Sequence, residues 1–281
     1  LYTQAQMQPG STAYNIPIAF SLLGETTTEQ ISVAFERVCQ RHPVLFSRFH
    51  YDADQLHQTA KVTPLSARQY DAEMPFEDCW KDFVQPFDLA DGKLVRLGLQ
   101  ALENKHRIFI DIHHIVADGV SILLLINQFL DQLEGNTHAV VEPEVRFGDY
   151  AVWQATDTNQ SRIKHQKDFW QSRLVDIPPR LDLITDFPRP DKRTFKGEQF
   201  TFDLDAEMSG KIRTISNAKV SVNTLLFTAF HLVLAKYSQQ ADFCSSILST
   251  GRTHHQTQEM VGMFNNFLPI PFSCEANQSV Q

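Results

Sequence analysis

Apolar residues alternate along some segments of the chain and recur at helical spacing along others, so the pattern predicts strands interleaved with helices. The clearest strands are 94–102 and 107–114, which are separated by the turn-like sequence ENKH. In the second strand isoleucines occupy every other position, while Phe109 and Asp111 take the opposite face. This interleaving is typical of an α/β fold.

Three segments show helical spacing with recognisable start or stop signals. Thr26 and Glu29 have capping-box spacing and predict the start of the first helix. Residues 120–133 predict a second helix with a broad apolar face, which Gly135 would end. Ser221 predicts the start of a third.

A proline-rich stretch, 175–193, contains four prolines and dense charge. Such a composition is typical of a linker, and we place a boundary there between subdomains 1–176 and 177–281. Beyond the linker, alternation predicts strands at 198–205 and 242–249.

Composition narrows the class of protein. The chain has 281 residues, of which 42% are hydrophobic, and a formal net charge of -8, which argues against a nucleic-acid-binding surface. We find no signal-peptide pattern and no apolar stretch long enough to span a bilayer, so we predict a cytoplasmic protein without a membrane partner. The four cysteines are scattered and predict free thiols. The chain lacks an initiator methionine and ends in a polar tail, so we expect a piece of something larger.

The sequence IDIHHIVADGVS, residues 110–121, carries the candidate chemistry. It contains His113, His114, Asp118 and Gly119 on a predicted loop between a buried strand and a buried helix. Adjacent strand residues point to opposite faces, so the two imidazoles diverge and a metal site is disfavoured. Spacing alone favours an ordinary turn with half-buried histidines over a catalytic base, and both interpretations stay open at this point.

HHIVADG matches the H-H-x-x-x-D-G signature of the condensation domains of nonribosomal peptide synthetases. Three further segments resemble blocks of that family in the same order: RHPVLFSRF at 41–49, FGDYAVWQ at 147–154 and VGMFNNFLP at 261–269. Some positions depart from the blocks, since Phe46 stands in place of an arginine and Asn265 and Phe267 replace valine and threonine.

The resemblance implies a fold of two subdomains like chloramphenicol acetyltransferase, arranged as a V around a tunnel that holds the active site. The family's last two blocks are absent, so we expect a chain that is truncated at both ends and whose second subdomain, 177–281, is incomplete. The subdomain 1–176 would carry the histidine motif.

The resemblance also implies an activity, peptide bond formation by an acyltransferase. Two thioesters carried on the phosphopantetheine arms of carrier proteins meet, and the acceptor amine attacks the donor. The implied partners are upstream and downstream peptidyl carrier domains and an adjacent adenylation domain, with no cofactor or metal held by this domain itself.

By the same resemblance, His114 faces the reacting amine as its base or its positioner. His113 packs inward, Asp118 holds the loop through an ion pair for which Arg41 is the candidate partner, and Gly119 offers a backbone N–H near the reacting carbonyl. Asn266 would line the tunnel.

Two other functions stay in view. A catalytically silent relative that recruits a partner enzyme tends to lose the second histidine, which is present here. An epimerization-type relative usually has a tryptophan where this chain has Ile122. A heterocyclizing function is disfavoured, because such relatives carry aspartates in place of the histidines.

Overall fold

The computed structural model describes most of the chain, namely residues 1–136, 145–177, 180–188, 190–191, 197–216 and 220–274. The predicted linker lies partly, and the polar tail mostly, outside these residues. The chain forms two compact units, Leu1–Gln160 with Thr250–Asn266 and Ser161–Ser249 with Phe267–Gln281. These units divide the chain at other points than the predicted subdomains, which stay a prediction.

Eight helices and eight strands are described. The helices are α1 Tyr2–Met7, α2 Thr28–Gln40, α3 Phe76–Phe83, α4 Gly119–Leu133, α5 Phe147–Gln154, α6 Asp157–Arg173, α7 Ala206–Ile215 and α8 Val222–Ser238. The strands are β1 Asn15–Leu23, β2 Ser47–Asp52, β3 Gln55–Ala60, β4 Ala67–Tyr70, β5 Val95–Leu102, β6 Lys105–His113, β7 Asp242–Ser249 and β8 Asn266–Ser273. Short 3₁₀ turns are described at Pro43–Phe46 and His255–Thr257.

The first unit is built on a four-stranded sheet in the order β1-β6-β5-β4. Strands β1 and β5 flank β6 in antiparallel pairs, and β4 runs parallel to β5. The isoleucine face of β6 belongs to the main core with α2 and α4, where the rings of Phe35 and Phe129 meet edge to face at 5.5 Å. On the other face, Phe109 packs with Cys79 and Phe83 of α3. Because β6 is covered on both faces, its end is held rigidly.

Most of the sequence-based elements of the first unit are confirmed. Helix α4 is followed by Gly135, whose φ of 77° is the left-handed conformation that glycine adopts readily. The predicted cap of α2 is wrong by one residue, because the capping box is formed by Thr27 and Gln30. Three consecutive threonines offer two capping boxes of equal spacing, 26 with 29 and 27 with 30, so spacing does not distinguish them.

The second unit contains α7, α8 and β7, with β8 from Phe267 onward. Ser221 caps α8, since its side chain accepts a hydrogen bond from Thr224 N at 3.0 Å, and β7 is found as predicted. The predicted strand at 198–205 is wrong, because residues 197–205 are irregular and Phe200 and Phe202 are exposed. Alternation marks a strand only where another strand supplies backbone hydrogen bonds.

The structure can be compared directly with two other expectations, which concern the cysteines and the membrane-spanning segments. All four cysteines are free thiols, with Cys39 and Cys79 buried and Cys244 and Cys274 half-buried. No helix within the described ranges has the length and apolar character that crossing a lipid bilayer requires.

Candidate active site

The histidine loop runs from the end of β6 to the start of α4. His113 is the last residue of β6, and its backbone N–H donates to Leu94 O at 3.0 Å. The N–H of His114 donates to Tyr14 O at 2.8 Å, immediately before β1. The two histidines are therefore anchored through their backbones to chain segments on either side of β6.

His113 is a buried and neutral histidine. Its Nδ1 accepts a hydrogen bond from Ile115 N at 3.0 Å, which places the proton of the neutral ring on Nε2. The rings of Tyr14 and Phe87 lie 6.3 Å and 5.9 Å from it. Burial, and then the neighbouring His114, lower the pKa of His113 to about 4. Its environment therefore disfavours the charged imidazolium.

His114 has a different environment. Its side chain is half-buried, and its Nδ1 atom is buried without a hydrogen-bond partner among the described residues. A buried polar atom without a partner calls for an explanation, which can be a bound water or ion or a catalytic role. Because the side chain is only half-buried, its exposed part can accept a proton from a ligand or bind a polar group.

Asp118 joins the loop to the rest of the unit. Its side chain is fully buried, caps α4 by accepting from Ser121 N at 2.8 Å, and accepts from Phe264 N at 3.2 Å. Its ion-pair partner is Arg252, whose Nη2 lies 2.9 Å from Asp118 Oδ1. The guanidinium also donates to the carbonyl oxygens of Thr257 and Met260, so neither charge is left unpaired.

The prediction that Arg41 pairs with Asp118 is therefore wrong. Arg41 follows α2 and donates to Gln132 Oε1 at 3.1 Å, near the end of α4. Gln132 lies 14 positions after Asp118, which is about 20 Å along a helix. Arg41 instead lines a groove of about 820 Å³ with His42 and with residues of α5.

Two of the segments that resemble family blocks, 147–154 and 261–269, meet next to Arg252. Its guanidinium lies over the ring of Phe264 at 4.3 Å, and Phe264 packs against Phe147 at 5.2 Å and Tyr150 at 5.0 Å. A Cβ at Gly262 would lie 2.1 Å from the Phe147 ring, so only glycine permits this approach. Phe147 and Tyr150 thus pack against the ring that covers the Arg252 guanidinium.

Gly119 and Asn266 are the two remaining predicted site residues, and their surroundings differ. Gly119 is the first residue of α4, and a Cβ there would meet no atom within 4 Å. No neighbouring protein atom requires a glycine at this position. The absence of a side chain leaves open space next to the loop. Asn266 is exposed at the start of β8, and its role in a tunnel stays a prediction.

Within the described part of the chain, no group of three or more His, Cys, Asp or Glu side chains could hold a metal ion.

Sequence reasoning missed Arg252 and the polar contacts of Asp111. Arg252 lies in the sequence STGRTHH, which has no periodic pattern that would indicate a buried charge. Asp111 did carry a signal, because an acid within an apolar strand requires partners when both faces are buried. Those partners are Asn15, at 2.7 Å, and Arg96, at 3.4 Å.

Comparison with known proteins identifies the family. A family model described as Condensation domain matches residues 1–281, and the chain belongs to this family, the condensation domains of nonribosomal peptide synthetases. It is 32% identical over 271 residues to tyrocidine synthase 2 of Brevibacillus parabrevis, covering 94% of this chain and 7% of that protein. It is 32% identical over 278 residues to surfactin synthase subunit 2 of Bacillus subtilis (strain 168), covering 96% and 8%. The chain thus spans less than a tenth of the length of these relatives.

Solved structures share the fold. The X-domain in complex with OxyB from teicoplanin biosynthesis has a TM-score of 0.80 at 21% identity, over 94% of this chain and 61% of that one. The condensation domain of the Monacolin K polyketide synthase MokA has a TM-score of 0.77 at 20% identity, over 97% and 65%. These likenesses confirm the α/β, chloramphenicol acetyltransferase-like fold and say nothing about activity.

Removing the arginine of the buried ion pair should destabilise the first unit. Arg252→Ala leaves the Asp118 carboxylate buried without its counter-charge, and we expect the free energy of unfolding to fall by about 3–5 kcal/mol. Arg41→Ala removes a hydrogen bond to Gln132 and should cost only about 1 kcal/mol. Urea denaturation of the two variants measures the difference, and equal losses would contradict the assigned pairing.

The lowered pKa of His113 predicts a pH-dependent contribution to stability. An unfolded histidine binds a proton near pH 6.5, whereas folded His113 does so only near pH 4. The stability contributed by neutral His113 is therefore complete above pH 6.5 and is lost as the pH falls towards 4. The excess stability of the wild type over His113→Gln should shrink across this window.

Comparing the wild type with His113→Gln removes the contributions of two other groups whose shifted pKa values also make stability depend on pH. Burial lowers the pKa of His42, which acts in the same direction as His113, and raises that of Asp111 to about 6, which acts in the opposite direction. Denaturation curves collected at several pH values give the difference. A difference that does not change between pH 4 and 6.5 would show that His113 is not held neutral.

Proposed function

We propose that the chain catalyses amide bond formation between an aminoacyl or peptidyl thioester donor and an aminoacyl thioester acceptor, both bound to carrier proteins. The observation that supports this most is the environment of His114. It stands at the end of a rigid strand, its backbone is hydrogen-bonded to Tyr14 O, and its Nδ1 is buried and unpaired among the described residues. Its position on the loop between β6 and α4, where the backbone is fixed and the side chain is half-buried, suits a group that acts on a substrate.

The proposed step is an acyl transfer. The acceptor amine attacks the carbonyl carbon of the donor thioester, a C–N bond forms, the C–S bond breaks, and the donor arm leaves as a thiolate, which finally takes up the proton lost by the amine. His114 accepts the proton lost by the amine, or orients the amine by a hydrogen bond. A typical α-amine titrates near pH 7.7–8.0, so a fair fraction is neutral without a base, and orientation of two tethered substrates then supplies much of the rate.

The neighbouring residues hold this arrangement. His113, which is buried, keeps the loop against Tyr14 and Phe87, and the Asp118–Arg252 pair fixes the start of α4. The backbone N–H groups of the first turn of α4 lack helical partners, so that of Gly119 can stabilise developing charge on the thioester oxygen.

The proposed partners follow from the family. Donor and acceptor arrive on phosphopantetheine arms of an upstream and a downstream peptidyl carrier domain, an adenylation domain loads the acceptor, and the reaction takes place in the cytoplasm. The domain itself binds no cofactor in this scheme.

Two other functions are less well supported. The likeness to an X-domain shows the fold alone, and the retained second histidine favours chemistry over recruitment of a partner enzyme. For an epimerization-type activity, Ile122 occupies the position at which the resemblance expects tryptophan.

Substitution of His114 tests both the activity and its mechanism. The assay uses the chain in its full-length context with loaded donor and acceptor carriers, and detects the dipeptidyl thioester by mass spectrometry. We expect His114→Ala to lower the condensation rate by roughly 10²–10⁴-fold if the residue is a general base. His114→Gln can donate a hydrogen bond but cannot accept a proton at neutral pH, so near-normal activity of this variant would identify a positioner.

The exposed His57 provides a control, since His57→Ala should condense at the wild-type rate. A wild-type rate for His114→Ala would show that the assignment is wrong. No product from any loaded pair with the wild-type protein would favour the silent, partner-recruiting function.

Substitution of Gly119 separates activity from stability. The backbone φ of Gly119 is not positive and a Cβ would meet no protein atom, so Gly119→Ala should leave the free energy of unfolding unchanged or raise it by up to ~1 kcal/mol. The added methyl group occupies the space next to the loop, and we expect condensation to fall about tenfold or more.

Gly135→Ala is the matched control, because its φ of 77° strains any side chain. It should lose stability while keeping its condensation rate. A wild-type rate for Gly119→Ala would show that the substrate does not approach the loop at this point.

A further inference from the structure

We infer that Asp111 is a positioning residue for the histidine pair, because it binds together the two chain segments that hold His113 and His114. The inference deepens the proposed function and rests on it for its catalytic consequence. The contacts themselves belong to the first unit and can be tested without an activity assay.

Asp111 is an unusual residue for its place in the fold. It lies in β6 two positions before His113, on the face opposite the isoleucines, and its side chain has no exposed surface. A carboxylate in such a place costs free energy unless polar groups surround it. Its partners come from β1 and β5, the strands on either side.

The first contact leads to His114. The amide of Asn15 donates to Asp111 Oδ2 at 2.7 Å and to Gln85 O at 2.9 Å. Asn15 is the first residue of β1, and the carbonyl before it, that of Tyr14, accepts the backbone N–H of His114. By fixing Asn15, Asp111 fixes the carbonyl to which His114 is bound.

The second contact leads to His113. Arg96 lies opposite Asp111 in the β5–β6 register, and its guanidinium is 3.4 Å from Oδ2. The same guanidinium donates to the carbonyls of Gln85 and Pro86 and lies 3.7 Å from the centre of the Phe87 ring. Phe87 in turn meets the His113 ring edge to face.

Both contacts converge on one oxygen of the carboxyl group. Asp111 Oδ2 serves Asn15 and Arg96, while Oδ1 is buried without a partner among the described residues. Burial raises the pKa of Asp111 to about 6, so its surroundings disfavour the charged form relative to water although Asn15 and Arg96 partly offset this. One acceptor oxygen is therefore what the arrangement requires, more than a full negative charge.

The need for one acceptor oxygen predicts how strongly each of three substitutions should displace the histidines. Asp111→Asn keeps one acceptor oxygen at the right distance from the backbone and should preserve the positions of both histidines. Asp111→Ala removes it and should displace both. Asp82→Asn is the matched control, because Asp82 is also a carboxylate bound to an arginine, Arg68, in the same unit.

The experiment measures imidazole ¹H–¹⁵N spectra of histidine-labelled protein, together with kcat and KM for condensation in the full-length context. For Asp111→Ala we expect shifted His113 and His114 resonances, a kcat lowered about tenfold or more, and a KM within about threefold of wild type. Asp111→Asn should stay within about threefold of the wild-type kcat, and Asp82→Asn should change neither measurement.

Two further variants test the Arg96 and Asn15 contacts of Asp111 one at a time. They also replace Asp111→Ala in the experiment if that variant does not fold. Arg96→Gln should move the His113 resonances more than those of His114, and Asn15→Ala should do the reverse. Unmoved His113 and His114 resonances in these variants and in any folded Asp111→Ala protein would overturn the inference. So would an Asp111→Asn variant as impaired as Asp111→Ala. If the resonances shift as expected but the wild-type protein forms no product, the positioning role stands and the proposed function fails.

Discussion

The buried ion pair between Asp118 and Arg252 is the interaction on which the arrangement of the histidine loop depends. Both side chains are almost wholly excluded from water, and charges in such a place are tolerated only when they are paired and hydrogen-bonded. Asp118 also caps α4, so the same carboxylate ends the loop after β6, starts the helix and binds the segment 250–266. This one contact couples positions 134 residues apart in the sequence.

The two adjacent histidines differ because His113 is the last residue of β6, which is covered on both faces, whereas His114 lies just beyond it. His113 belongs to the same face of β6 as Phe109 and Asp111, where neighbouring rings and a backbone N–H complete its environment. His114 follows the last residue of the strand and keeps a buried, unpaired nitrogen. Identical side chains therefore have different surroundings, because the His113 ring has a hydrogen-bond partner and the Nδ1 atom of His114 has none among the described residues.

Apolar periodicity and capping patterns in the sequence predicted those strands and helices that depend mainly on neighbouring residues in the chain. Strands β5 and β6 and helix α4 follow from periodicity, because their apolar faces are wide and their ends carry turn signals. The segment 198–205 alternates equally well but forms no strand, since alternation does not supply a pairing partner. The cap of α2 shows the same limit on a smaller scale, because Thr26 and Thr27 have equivalent spacing to an acceptable partner.

The sequence by itself determined the family, the α/β fold and the loop that carries His113 and His114, because ordered blocks and apolar periodicity are properties of the chain read in one dimension. Only the tertiary structure decided that Arg252, and not Arg41, pairs with Asp118, and that Asp111 binds the segments behind both histidines. A buried charge accepts whichever partner the packing of distant segments brings within a few ångströms. That choice depends on the three-dimensional path of the chain, which no local spacing records.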